Sequence, residues 1–208
     1  MNLLNGRPYV QGTQLLDLAA RATGRDDALL ESARFLRITD RIVMLAERHG
    51  DRATSVPGLL GSAAFLLKGS RVEYDFIETE DLAPRLECAE QKYANRLDHD
   101  CALRGSFEAT DLPDLQALLE SMVQGLKLMH QGLPGGATDV WFTGLRGFAL
   151  PVDLGPISCG MFDICPLRRL VSGNRIQTFS DVRIHCEHGQ WRGQVSFAFS
   201  VQGECDVD

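Results

Sequence analysis

The chain has 208 residues, enough for one large domain or two small ones, and its 44% hydrophobic and 24% charged content is that of a globular protein. A net charge of −7 and an isoelectric point of about 5.2 argue against a surface for nucleic acid or an anionic membrane. No apolar run approaches the ~20 residues of a spanning helix, and the N-terminus lacks the basic-then-apolar pattern of a signal peptide, so a cytoplasmic protein is expected.

The chain opens with a short extended piece over 1–12 that turns at Gly12. A helix is expected over 13–23, with Thr13 helping to cap it and Gly24 ending it. Leu15, Leu16, Leu18, Ala19, Ala20 and Ala22 leave that helix almost no wet face, which predicts burial. Its one acid, Asp17, then needs a reason. Residues 31–47 alternate imperfectly and read as two strands with a bend near Asp40. A polar loop over 48–57 ends at Pro57, and 61–79 reads as strands around a Lys-Gly-Ser turn. The stretch 80–100 has no clear period and reads as a link.

A second cycle follows. Residues 101–107 can form a strand. Asp111, Pro113 and Asp114 signal a helix start, and Leu115, Leu118, Leu119, Met122, Leu126 and Met129 recur at helical spacing, predicting a helix over 112–130. Strands are expected at 139–151, 157–165, 175–186 and 190–202, the last two joined by a tight turn at His188-Gly189.

The stretch from Gly6 to Gly24 resembles the central helix of the hotdog fold, and in particular the beta-hydroxyacyl-acyl-carrier-protein dehydratase family. That family's pattern reads H-F-P-G-x-P-x-x-P-G-x-x-x-x-E before a small, apolar helix. Gly6, Pro8 and Gly12 fall on the pattern and Asp17 falls on its acid, whereas the family histidine would fall on Leu3. The segment from Leu118 to Gln124 resembles the same helix again, with Glu120 as its acid and Ser106 where the histidine would stand. Residues 34–40 also resemble residues 147–153. Helix followed by antiparallel strands, twice, is an internal repeat. The resemblance thus implies an α+β double hotdog, two central helices wrapped by antiparallel sheets, with repeats at 1–97 and 98–208. A double hotdog already contains the side-by-side pair, so a monomer would fit, and the short first repeat would fit a homodimer.

The resemblance further implies an acyl-thioester substrate, on coenzyme A or an acyl carrier protein, in fatty-acid or secondary-metabolite biosynthesis. Unpaired N–H groups at a helix start would polarise the thioester carbonyl, and Gly12 and Thr13 are the matching positions. Asp17 and Glu120 are the candidate acids, with His99, just before the strand leading to Ser106, a candidate base and Tyr9 a candidate pocket residue. Three outcomes stay open: dehydration, hydrolysis by a helix carboxylate as hotdog thioesterases perform it, and a non-catalytic acyl-binding or partner subunit. Against function, Asp17 can simply pair with Arg21, and Glu120 can belong to a wet stripe with Gln116 and Gln124. His130, at a helix end, reads as a favourable C-terminal cation.

No phosphate-binding or dinucleotide glycine pattern occurs, and no cofactor is expected. The six cysteines form no C-x-x-C pair and read as small buried hydrophobes. His185-Cys186-Glu187-His188 is rich in ligand types, but strand alternation splits it between two faces, so no metal is expected.

Overall fold

Period-two burial writes most of this chain as sheet. Along the ninth strand Ile176, Thr178, Ser180, Val182 and Ile184 are buried while the residues between them are not. The computed structural model describes residues 12–48, 56–83, 94–99, 103–133 and 137–201. The expected loop over 48–57 falls largely outside them, as does Tyr9. The chain divides into a first unit, residues 1–91 with 149–153, and a second, residues 92–148 with 154–208.

In the first unit, helix α1 (Gly12–Ala22) lies on strands β1 (Leu29–Phe35) and β3 (Leu59–Leu67). With β2 (Arg41–Arg48) and β4 (Ser70–Leu82) these form an antiparallel sheet in the order β2-β4-β3-β1. Gly24 ends α1 at φ +60, where a side chain would be strained, and Gly24 N–H donates to the Arg21 carbonyl at 3.1 Å. The β3–β4 hairpin turns on Lys68 and Gly69, both at positive φ, the backbone that matches strand twist. The core is Leu15, Leu16, Leu30, Leu60, Phe65 and Phe76, all at most 4% exposed.

In the second unit, helix α2 (Leu115–Gln131) packs on β5 (Ala94–His99) and β6 (Gly105–Leu112). The remaining strands are β7 (Ala137–Pro151), β8 (Ile157–Ser172), β9 (Arg175–Cys186) and β10 (Gly189–Val201). The antiparallel order is β7-β10-β9-β8-β6-β5. Gly125 of α2 sits directly over Phe107 of β6: a Cβ there would lie 2.4 Å from the ring. Phe107 in turn stacks on Phe162 with centroids 4.5 Å apart. Among the described residues neither helix is long and apolar enough to cross a membrane.

Several expectations are corrected. The stretch 80–100 is not only a link: β4 runs on to Leu82, and β5 pairs with β6. Helix α2 begins at Leu115 rather than 112, because Leu112 is still in the ladder opposite Ile157 and Asp111 turns the chain at φ +55. Its cap is therefore Asp114, whose carboxylate accepts from Ala117 N–H at 2.9 Å. Strand β8 runs past 165 to Ser172, since a bulge between Pro166 and Arg168 absorbs the residue that cannot donate to the ladder. Cys159 is exposed and Cys165 and Cys186 are half-buried, so these three are not core hydrophobes; Cys88, Cys101 and Cys205 lie outside the described residues.

Candidate active site at the first helix

Helix α1 has a wetter face than its composition suggests. Leu15, Leu16, Ala19 and Ala20 are buried, but Leu18 is half-buried and Arg21 and Ala22 are exposed. Asp17 is accordingly not a buried acid: its side chain is 27% exposed. Arg21, one turn on, donates from Nε to Oδ2 at 2.9 Å and Oδ1 at 3.1 Å, and is itself 75% exposed. The pair orients the carboxylate and leaves several of its lone-pair sites open.

One turn earlier stands Thr13. It does not cap the helix: it is already inside it, 3% exposed, and its Oγ1 has no hydrogen-bond partner among the described residues. A buried hydroxyl without a partner costs roughly 1–3 kcal/mol, so this one is kept against a stability cost. Thr13 and Asp17 are four residues apart and share one helix face. Gly12 begins the helix half-buried, and the first turn of α1 contains no acid. At the other end, Tyr74 of β4 donates its hydroxyl to the Ala22 carbonyl at 3.3 Å, tying α1 to the sheet. Burial, with the charge of Glu47 adding to it, pushes the Tyr74 phenol pKa up, so it stays a donor.

The second helix is built differently. The Asp114 carboxylate sits on its N-terminus, so a negative charge already occupies the place a developing oxyanion would take. Glu120 is half-buried and accepts from Gln116 Nε2 at 2.9 Å. His99 ends β5, its backbone opposite Gly105, and Asp98 stands opposite Ser106. Leu3 and His49 lie outside the described residues.

His130 is the polar residue that sequence reasoning misplaced. It is not a solvated helix-end cation but fully buried on α2. Its Nδ1 lies 2.7 Å from the Leu126 carbonyl and its Nε2 2.7 Å from Thr178 Oγ1. A carbonyl only accepts, so Nδ1 carries the hydrogen, and in the neutral ring Thr178 donates to Nε2. Burial holds its pKa below the usual histidine value, with the Leu126 bond offsetting part of that. The signal that could have found it is the alternation of β9, which puts Thr178 on the face covered by the helix. The other described histidines are peripheral: His185 lies 3.4 Å from exposed Asp163, and exposed His188 meets the Pro156 carbonyl at 2.8 Å. Among the described residues no three metal-ligating side chains cluster.

No known protein family and no curated protein matches the chain. Solved structures do resemble it. One, assigned provisionally as a thioesterase, comes from Novosphingobium aromaticivorans: 14% identity, 96% of this chain and 90% of that one, TM-score 0.47. Another is a protein of unknown function with a hot dog fold from Alicyclobacillus acidocaldarius: 8% identity, 93% and 88% coverage, TM-score 0.45. A third is a dehydratase from work on the borrelidin and fluvirucin polyketide synthases: 13% identity, 94% and 82% coverage, TM-score 0.49. These are likenesses in the course of the chain.

Proposed function

We propose that the chain is a double hotdog, with repeats at 1–97 and 98–208, that hydrolyses an acyl thioester of coenzyme A or an acyl carrier protein at the start of α1. The observation that carries this reading is the pairing on one helix face of an unpartnered buried hydroxyl, Thr13, with an oriented and accessible carboxylate, Asp17. The Thr13 hydroxyl and the first N–H groups of the helix would hold the carbonyl oxygen as it becomes negative. Asp17 would take a proton from water as the water oxygen bonds to the carbonyl carbon. The C–S bond then breaks, its electron pair leaves on sulfur, and the proton passes from Asp17 to the thiolate. Hydrolysis is favoured over dehydration because dehydration needs both a base for the alpha carbon and an acid for the departing hydroxyl. Among the described residues of the first unit no histidine is present to divide those roles with Asp17. In the second repeat, Glu120 and His99 are assigned a supporting place: the Asp114 cap makes the start of α2 the poorer oxyanion site. Tyr9 is assigned to the acyl pocket by its place just before Gly12.

The test is a panel of acyl-CoA and acyl-carrier substrates, plain and 3-hydroxy, followed by free-thiol release and by intact mass. Thiol release with uptake of water is expected. An enoyl product formed without thiol release would replace hydrolysis with dehydration. The Asp17–Arg21 ion pair favours one second reading, a non-catalytic acyl-binding subunit; there the thioester would raise the melting temperature with no product of either kind.

A further inference from the structure

In the first unit, β2 has a strand on one side of it. Among the described residues it pairs with β4 alone, from Arg41 opposite Leu82 to Arg48 opposite Glu73. The Asp40 carbonyl extends that ladder by accepting from Ala83 N–H at 2.8 Å. The second unit treats the corresponding strand differently. There β8, likewise the second strand after the helix, is flanked by β9 on one side and on the other by β6, the strand before the helix. Among the described residues the first unit has no strand before α1, so the outer edge of β2 has no ladder partner there. Such an edge is a template for another strand.

The edge is not blunted. It has no proline, and Met44 at its centre is 56% exposed. Ile38, just before the strand, is 52% exposed, and Leu82, opposite Arg41, is 67% exposed. With Leu36 these are the exposed large hydrophobics among the described residues of the first unit. Apolar surface gathered at one sheet edge points to a protein partner.

The charges say which partner. Residues 40–48 read Asp-Arg-Ile-Val-Met-Leu-Ala-Glu-Arg, and the order of charge is complementary to its own reverse. When two copies of a strand pair antiparallel about a twofold axis, facing residues point to the same side of the sheet, so one residue must face itself. With Met44 in that place, Arg41 faces Glu47 of the copy and Asp40 faces Arg48, each twice, while Val43 faces Leu45 and Ile42 faces Ala46. Opposite charges placed directly across a strand pair attract. Centred on Val43 instead, the axis sets Arg41 against Leu45; centred on Leu45, it sets Glu47 against Val43.

We propose that β2 is a self-association edge: it pairs antiparallel with β2 of a second copy of this chain, about a twofold axis through Met44. Main-chain hydrogen bonds would supply the attraction, and the Arg41–Glu47 pairs would set the register. None of this rests on the thioester chemistry assigned to α1.

Sedimentation velocity of the full chain tests it. The wild type should be a dimer at about 100 µM, a concentration that populates even a weak edge contact. Glu47→Arg changes an exposed residue and sets four arginines in two facing pairs, so the dissociation constant should rise by about 10-fold or more. Adding Arg41→Glu to it should restore the dimer. The register has a second test that needs no charge change. In the wild-type background Met44→Cys should form a disulfide-linked dimer on mild oxidation, because directly facing residues lie within disulfide reach. Ala46→Cys, which faces Ile42, should link no more than the wild-type protein with its native cysteines. A wild type that stays monomeric would overturn the proposal. So would a Glu47→Arg dimer as tight as the wild type, or equal cross-linking at Met44→Cys and Ala46→Cys.

Discussion

The Nε2 of His130 and the Oγ1 of Thr178, forty-eight residues apart in sequence, lie 2.7 Å apart inside the second unit. Burial favours the neutral imidazole by lowering its pKa, and in that form Thr178 donates to Nε2. In the unfolded chain the same ring titrates near 6.5. Below that pH the unfolded state binds the proton more readily than the folded one, so stability rises with pH there. The contribution is whole above about pH 6.5 and is lost as pH falls from there through the folded value. Chemical denaturation between pH 5 and 7.5 should show this loss, at most about 1.4 kcal/mol per pH unit for one proton. His130→Gln should be less stable at pH 7.5 but flatter across the range. An unchanged slope in the variant would mean that other groups set the dependence.

Gly125 and Phe107 set a second prediction. Gly125→Ala removes a poor helix former, worth about 1 kcal/mol on an exposed site. Here the new methyl meets the Phe107 ring, which is 2% exposed and backed by Phe162, so it has no room to retreat. Overpacking of about 1–3 kcal/mol should prevail. The midpoint of denaturation should fall; a rise would mean that the helix and sheet separate cheaply.

Arg48 on the edge strand β2 reaches both Glu73 and Asp75 of β4, and Glu73 is also held by Arg71 at 2.8 Å. Asp75 is only 8% exposed, so removing Arg48 takes an ion-pair partner from a nearly buried carboxylate. Arg48→Met should cost on the order of 2–3 kcal/mol, less than the ~3–5 of a fully buried pair because Arg48 is itself 22% exposed. The double variant Arg48→Met, Asp75→Asn should recover part of that. Additive losses in a double-mutant cycle would deny the coupling.

Thr13 should separate stability from activity. Thr13→Val keeps the shape and removes a hydroxyl that has no partner, so the protein should gain about 1 kcal/mol, or about 2–4 °C in melting temperature. If that hydroxyl serves the oxyanion, kcat/KM for thioester hydrolysis should fall by about 100-fold or more in the same variant. A stabilised variant with full activity would make Thr13 a packing residue.

The fold was legible where one period dominates. Leu118, Leu119, Met122, Leu126 and Met129 marked α2, and the alternation of β9 and β10 survives intact in the structure. It was illegible where local signals compete with the ladder. Asp111 and Pro113 mimic a helix start because the backbone turns there before the cap, and the polar residues of β5 hide a strand that only its pairing with β6 defines. For the site, the resemblance named Gly12, Thr13 and Asp17 as candidates, and helical spacing puts Thr13 and Asp17 one turn apart. Sequence pattern misjudged Asp17 as buried, because composition cannot say which side of a short helix the sheet covers, and it misread His130 because a helix end can be buried by a strand forty-eight residues on.

The central claim is that α1 carries a hydrolytic carboxylate. Its most direct measurement is kcat/KM for thiol release from the best acyl-CoA substrate by the wild type and by Asp17→Asn, a substitution of equal size at a partly exposed site. The account predicts a loss of at least ~100-fold, the scale of a general base, with the melting temperature nearly unchanged because the exposed Arg21 pair contributes at most about 0.5 kcal/mol. Wild-type kcat/KM in a folded Asp17→Asn protein would contradict it and leave Asp17 as the surface partner of Arg21.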